Sequence, residues 1–265
     1  MRGARRAEAL LEVRPTSLTR GVISIASAVF RYAVKQGLAA DNPVAALDDE
    51  KPRAKNQTKA RILDVDEIAR LLEHAPKTYR ALLATAVFSG MRQSEILGLR
   101  WCDVDFAIGE LHIHNQLSRA SREQPARLVP LKTDAAERTI DLSGLLARVL
   151  REHKLAAPAE HSGDEDFVFC TAIGTPLYYR NVSSRALDKA ADGAALNPDG
   201  KPRLSFHDLR HTAITHLIRS GADVAQVQRF AGHAKPFITL DLYVGEFERR
   251  QKNDAGQRLA AVYDG

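Results

Sequence analysis

Apolar residues recur with helical spacing in the first part of the chain, over residues 17–37. They follow steps of three and four residues: Val22, Ile25, Val29, Ala33 and Val34. This spacing predicts an amphipathic helix. Gly37 ends it, and the helix-breaking pair Asn42-Pro43 follows.

A polar, charged stretch then separates this helix from the rest of the chain. It is interrupted by Pro52 and carries no apolar periodicity, so it predicts a linker at residues 51–61. The pattern therefore divides the chain into a small helical module at residues 1–50 and a larger one at residues 62–265.

The larger module mixes helical and strand patterns. Asp64 and Glu67 have the spacing of a helix N-cap and its reciprocal partner. Further helices are predicted at 78–89, 92–100, 145–153, 180–191, 207–219, 224–230 and 246–262. Alternating apolar and polar residues predict strands at 111–117, 127–131, 138–142 and 167–170, with residues 133–137 turning the chain between the second and third. The expected fold class is α+β, mainly helical with a small antiparallel sheet.

Charge is unevenly distributed along the 265 residues. The net charge is +5, and residues 1–60 hold 11 Lys and Arg against 6 Asp and Glu, whereas the other 205 residues hold 27 of each sign. The whole positive surplus lies in the N-terminal quarter, which points to a polyanionic partner.

Cysteine and hydropathy patterns exclude several classes of protein. Two cysteines, Cys102 and Cys170, make neither a disulfide framework nor a Cys/His metal motif. The longest mainly apolar stretch, residues 81–88, is too short to cross a membrane, and the charged start lacks the apolar core of a signal peptide. We therefore expect a cytoplasmic protein without a membrane segment.

Five short segments carry residues suited to phosphate chemistry. They are SGMRQSEILGLRW (89–101), VPLKTDAAERTIDL (129–142), FHDLRHT (206–212), AGH (231–233) and ITLDLY (238–243). In this order they resemble the tyrosine recombinase (phage integrase) family over residues 62–250. Residues 16–43 also resemble the end of that family's helical core-binding domain.

The residue types favour this chemistry by themselves. Arginine is a permanently charged planar fork that binds two phosphate oxygens at once, and Glu95, three residues after Arg92, can hold that side chain in place. His207 and Arg210 have i,i+3 spacing in the first turn of a predicted helix, where free N–H groups favour anions. His207 and His211 also have the i,i+4 spacing of zinc ligands, but the cation of Arg210 between them opposes a metal ion. We expect His211 to pack or hydrogen bond, and we expect no metal or other cofactor.

The resemblance implies a catalytic set and a role for each member. Tyr243 is the nucleophile that forms a covalent 3′-phosphotyrosine and frees a 5′-hydroxyl. Arg92 and Arg210 clamp the phosphate. His207 assists proton transfer at the tyrosine hydroxyl, and His233 contacts a phosphate oxygen. The lysine, near the tip of a two-stranded ribbon, protonates the leaving oxygen. These residues are Arg92, Arg210, His207, His233, Lys132 and Tyr243.

The resemblance also implies partners. Double-stranded DNA at a recombination site is one, self-association into a tetramer on two such sites is another, and accessory DNA-bending proteins are compatible with this function. On the predicted N-terminal helix, Arg20, Arg31 and Lys35 can face DNA, or they can form a solvated face without a role. Since only about 60 residues precede the catalytic segment, we expect an N-terminally short member of the family, with a partial core-binding domain.

Two other functions remain compatible with these motifs. One is a catalytically silent remnant that binds DNA without cutting it. The other is an enzyme similar to the type IB topoisomerases, which use the same chemistry to relax DNA. The tail beyond residue 246 can pack on a neighbouring subunit or on its own domain.

Overall fold

The computed structural model describes residues 16–45, 60–120, 124–131, 133, 136–233 and 243–247. The chain divides into two compact units, Met1–Lys59 and Ala60–Gly265. The predicted linker at 51–61 lies almost entirely outside the described residues, and so does the predicted C-terminal tail beyond residue 247.

The first unit contains one long described helix, α1 (Thr16–Lys35). It ends because Gly37 adopts a left-handed conformation with φ of 69°, which a residue without a Cβ accommodates at little cost. The amide of Leu38 then donates to the carbonyl of Ala33 at 2.8 Å and closes the last turn.

The apolar stripe of α1 is exposed rather than buried. Ile25 is 69% and Val29 60% exposed, whereas the buried positions are Ile23 and Ser27, on another side of the helix. Asn42, in the turn after the helix, donates to the hydroxyl of Ser27 at 3.1 Å. Among the described residues of this unit, the periodic positions Ile25 and Val29 are therefore exposed, and the turn after the helix contacts α1 at Ser27.

The second unit is mainly helical. Its α-helices are α2 (Val65–Glu73), α3 (Lys77–Ser89), α4 (Gln93–Leu97), α5 (Gly144–Ala156), α6 (Tyr179–Val182), α7 (Lys189–Gly193), α8 (Phe206–Arg219) and α9 (Val224–Ala231). A π-helical stretch, Ser183–Asp188, joins α6 to α7, and residues 243–247 are helical. Asp64 and Glu67 form the predicted capping box of α2. None of the helices described in either unit is both long and apolar enough to cross a bilayer.

The strands form two small antiparallel sheets. They are β1 (Val104–Asp105), β2 (Glu110–Ile113), β3 (Asn115–Leu117), β4 (Leu128–Pro130) and β5 (Arg138–Asp141). One sheet has the order β1-β2-β5, and the other pairs β3 with β4.

Two strand predictions were wrong. The predicted strand 111–117 is broken into β2 and β3. Because β2 pairs with β5 and β3 pairs with β4, the two strands on either side of residues 133–137, β4 and β5, do not pair with each other. The tip of the β3–β4 ribbon lies between Leu117 and Leu128, and Lys132 comes after β4 in the chain. The second wrong prediction is the strand at 167–170. There the structure has isolated β-bridges instead, Phe167 with Arg100 and Cys170 with Pro176.

Helix α3 forms the centre of the core. Its residues 81–87 are all buried, which explains why this stretch is apolar on all sides except at Thr85. The hydroxyl of Thr85 donates to the carbonyl of Ala81 at 2.9 Å. A second, smaller cluster includes Ile214 and Ile218 of α8, Val227 of α9, and Tyr243 and Phe247. This cluster holds the helical segment 243–247 against α8 and α9.

Candidate active site

Helix α8 supplies three of the polar side chains of the site. Its start is set by a capping box: the hydroxyl of Ser205 accepts from the amide of Asp208 at 3.2 Å, and the carboxylate of Asp208 accepts from the amide of Ser205 at 2.9 Å. This cap places His207 in the first turn of the helix and Arg210 and His211 at the start of the second.

The guanidinium of Arg210 is held between the ends of two other helices. It donates from Nη1 to the carbonyl of Gly90 at 2.6 Å and from Nη2 to the carbonyl of Ala231. Gly90 and Gly232 cap α3 and α9 in left-handed conformations, with φ of 60° and 62°. Burial, together with Arg92, lowers the pKa of Arg210, but a guanidinium starts so high that it stays charged at neutral pH.

Arg92 lies at the N-cap of α4 and is the more accessible arginine. Its side chain is 38% exposed, and Nη1 bonds a carboxylate oxygen of Glu95 at 2.7 Å, the partner that the i,i+3 spacing predicts. Nη2 donates to the carbonyl of Gly232 at 3.1 Å. Arg92 and Arg210 therefore both donate to carbonyls at the C-terminal end of α9.

A third arginine, Arg138 of β5, was missed by sequence reasoning. Its side chain is almost completely buried, and it donates to Glu95 at 2.9 Å and to the carbonyl of Phe230 at 2.8 Å. A signal was present: strand alternation puts Arg138 on the same face as the buried Ile140, and a charge on a core face needs a partner.

Glu95 joins Arg92 and Arg138 inside the protein. Its side chain is fully buried, and its second oxygen also accepts from the amide of Arg92 at 2.8 Å. Burial alone would raise the pKa of Glu95, but Arg138 and Arg92 outweigh it and hold the pKa below its ordinary value. The carboxylate is therefore charged and orients both cations.

His233 is positioned by the turn after α9. Its amide donates to the carbonyl of Gln228 at 3.2 Å, and its carbonyl accepts from the side chain of Gln228 at 3.1 Å. Its Nε2 lies 3.3 Å from Nη2 of Arg210. Burial and the nearby Arg210 and Arg92 lower the pKa of His233 to about 4, so its imidazole is neutral at pH 7.

Tyr243 reaches the same cluster from the segment after the turn. It is 4% exposed, and its hydroxyl lies 2.5 Å from Nδ1 of His211. Burial raises the pKa of Tyr243 although Arg210 opposes the shift. The ring of His207 meets that of His211 edge-on at 4.6 Å. Sequence reasoning assigned His211 only a packing or hydrogen-bonding role, and its contact with the tyrosine was not foreseen.

The other predicted residues are placed as follows. Lys132 lies outside the described residues. Arg31 and Lys35 are exposed on α1, and Arg20 belongs to the same helix. Across the described ranges, no group of three or more His, Cys, Asp or Glu residues is arranged to hold a metal ion.

The arrangement combines a phenol, neutral imidazoles and two guanidinium groups. Arginines bind the oxygens of a phosphate, and such preorganised donors stabilise the charge that develops in phosphoryl transfer. A phenol held beside them can attack the phosphorus, and an imidazole can accept its proton. The chemistry that fits these groups is transesterification of a phosphodiester.

Comparison with known proteins agrees with this chemistry. The model of the phage integrase family matches residues 61–250. A tyrosine recombinase XerC-like protein of Caldanaerobacter subterraneus subsp. tengcongensis is 29% identical over 246 residues, which are 84% of this chain and 61% of that protein. The tyrosine recombinase XerC of Alcanivorax borkumensis is 30% identical over 257 residues, 92% of this chain and 71% of the relative.

Solved structures share the fold at lower identity. The Tn1549 transposon integrase (residues 82–397), in complex with circular intermediate DNA, has a TM-score of 0.75 at 19% identity and covers 98% of this chain and 84% of its own. A lambda integrase dimer bound to a COC′ core site has a TM-score of 0.63 at 20% identity, over 94% of this chain and 65% of its own.

Proposed function

Because the chain belongs to the phage integrase family of tyrosine recombinases, we propose that it cleaves and rejoins DNA at specific sites through a covalent 3′-phosphotyrosine on Tyr243. One observation carries this proposal. The hydroxyl of Tyr243 is held by a side chain of α8, the same helix that supplies His207 and Arg210.

In the proposed reaction, Arg92 and Arg210 bind the oxygens of the scissile phosphate. The oxygen of Tyr243 attacks phosphorus, its O–P bond forms, and the bond to the 5′ oxygen breaks. Lys132 is proposed as the acid that protonates this oxygen, and His233 as a donor to the phosphate. The ester keeps the bond energy, so the 5′-hydroxyl of a second strand can reverse the step without ATP.

The proposed partner is double-stranded DNA, which the integrases of similar fold bind. Recombination joins two sites, so we propose a tetramer of protomers on DNA, which accessory DNA-bending proteins can assist. Residues 1–50 are proposed as a partial core-binding domain, followed by the linker at 51–61, with Arg20, Arg31 and Lys35 on the DNA backbone. Since its substrate is bacterial or phage DNA, the protein is proposed to act in the cytoplasm.

The test requires a substrate even though the target sequence is unknown. A pool of nicked duplexes of randomised sequence can be used as the substrate. Cleavage beside the nick releases a short strand, and the loss of its 5′-hydroxyl prevents religation and traps the covalent adduct. We expect the wild type to form adducts that survive denaturation, with DNA on Tyr243 by mass spectrometry. Sequencing the trapped DNA then gives the preferred site.

The control is Tyr243→Phe, which removes one hydroxyl and leaves the ring in its apolar cluster. It should bind the recovered site as the wild type does and form no adduct. Adducts with the Phe variant would assign the nucleophile elsewhere. DNA binding without any wild-type adduct would identify a silent remnant, and relaxation of a supercoiled plasmid without that site would indicate a topoisomerase.

A further inference from the structure

We propose that His211, outside the catalytic set implied by the family resemblance, is the group that holds the hydroxyl of Tyr243 and takes its proton when the tyrosine attacks. This inference rests on the proposed function. It begins from one contact, the 2.5 Å separation between Oη of Tyr243 and Nδ1 of His211. In the proposed arrangement the phenol O–H donates, and the neutral imidazole carries its own proton on Nε2, so that Nδ1 has a free lone pair to accept.

The geometry distinguishes His211 from its neighbour. Among the described residues, the side chain that hydrogen bonds to Tyr243 is His211, whereas the ring of His207 lies against the edge of His211 instead. The two histidines are one turn apart on one face of α8. His207 is therefore next to the acceptor rather than next to the nucleophile.

The surrounding charges keep His211 in its accepting form. The groups that act on it from its own helix are His207, Arg210 and Asp208, and His233 and Tyr243 face it from the segments packed on that helix. Burial, His207 and Arg210 together lower the pKa of His211 to about 4. A phosphodiester that enters the arginine clamp brings negative charge, which makes the imidazole more basic at the moment of attack.

The proposed step balances in protons and bonds. The O–H proton of Tyr243 moves to Nδ1 of His211 as the oxygen–phosphorus bond forms. The bond from phosphorus to the 5′ oxygen breaks, and that oxygen takes a proton from a cationic amine, proposed above as Lys132. In the reverse reaction, His211 returns its proton to the tyrosine.

The experiment uses two substitutions that separate positioning of the Tyr243 hydroxyl from transfer of its proton. His211→Leu removes the acceptor, whereas His211→Asn places an amide oxygen near the position of Nδ1 but cannot take a proton. The control is His216→Asn on the same helix, where the ring instead bonds the carbonyl of Leu63 at 2.9 Å. Single-turnover cleavage of the recovered nicked duplex is measured at saturating protein, from pH 5 to 9.

We expect both His211 variants to lose about 10²-fold or more in cleavage rate, the effect of removing a general base. DNA affinity should stay within about threefold of wild type, because the residue acts on the nucleophile and not on DNA binding. The wild-type rate should fall at acid pH, and this acid limb should be absent in both variants. The His216→Asn control should keep the wild-type profile.

Three results would overturn the proposal. A wild-type rate in His211→Asn would mean that the residue only positions the tyrosine. A wild-type or faster rate in His211→Leu would mean that the contact restrains the resting enzyme. Additive effects of Tyr243→Phe and His211→Leu on the free energy of unfolding, measured without DNA, would mean that the contact is absent in solution.

These failures differ from failure of the proposed function. That function fails when the wild type forms no adduct, or when Tyr243→Phe still forms one. The present inference fails alone when adducts require Tyr243 and cleavage is unaffected by His211→Leu.

Discussion

The buried carboxylate of Glu95 gives the sharpest prediction about what organises this site. Glu95→Gln is nearly isosteric, yet it removes the negative charge between Arg92 and Arg138. The wild-type carboxylate accepts bonds of 2.7 Å and 2.9 Å from these guanidinium groups and one of 2.8 Å from a backbone amide. In the variant an NH₂ group must face at least one guanidinium donor.

The magnitude follows from burial. The side chain of Glu95 is fully buried and that of Arg138 is 5% exposed, so water cannot replace the lost partner. Removing one member of a buried ion pair typically costs about 3–5 kcal/mol, because the remaining charge is uncompensated. For a domain of about 200 residues, where 1 kcal/mol shifts Tm by roughly 2–4 °C, this corresponds to a decrease of about 6–20 °C.

The assay is urea unfolding followed by circular dichroism, with Glu67→Gln as the matched control. Glu67 also pairs with an arginine, Arg61, at 3.1 Å, but both side chains are partly exposed, at 23% and 32%. An accessible pair contributes about 1 kcal/mol or less, and Gln also serves in a capping box. The control should therefore change the free energy of unfolding by less than about 1 kcal/mol.

The pH dependence provides a second measurement. The pKa of Glu95 is lowered in the folded state, so its charge stabilises the fold above the unfolded-state pKa of about 4.3, and this stabilisation is lost as pH falls through the folded value. The difference between wild type and Glu95→Gln should be constant from about pH 6 to 8 and should shrink below about pH 4. A difference under about 1 kcal/mol at pH 7, or one that persists at acid pH, would refute the reasoning.

Three further predictions concern catalysis and DNA binding. Arg210→Lys should reduce the rate of single-turnover cleavage by roughly 10²–10³-fold, because an ammonium cannot bind two phosphate oxygens as a guanidinium does. A near-wild-type rate would show that this residue does not bind the phosphate. EDTA should leave the cleavage rate unchanged, since in the proposed reaction arginines rather than a metal bind the phosphate; inactivation that zinc reverses would contradict this. Neutralising Arg20, Arg31 and Lys35 together should flatten the slope of log affinity against log salt by up to about three units, and an unchanged slope would show that α1 does not touch the DNA backbone. The rate at saturating DNA should not change in that triple variant.

Much of this protein can be predicted from residues that are close in sequence. The capping box of Asp64 and Glu67 and the pairing of Arg92 with Glu95 involve partners three residues apart. The local backbone alone determines whether such groups meet, so spacing and residue type suffice. The order of the five motif segments is likewise a property of the sequence, and it pointed to the family before any packing was known.

Tertiary structure decided the contacts between distant segments. Alternation located the strands but not their partners: β4 and β5 are consecutive in the chain, yet they belong to different sheets. The contact of His211 with Tyr243 spans 32 residues, and that of Arg138 with Phe230 spans 92. Neither partner's local pattern specifies the other, because each contact exists only where α8, α9 and β5 pack together. The free energy of those contacts comes from burial and charge pairing across the whole unit, and it has no counterpart in a local stretch of sequence.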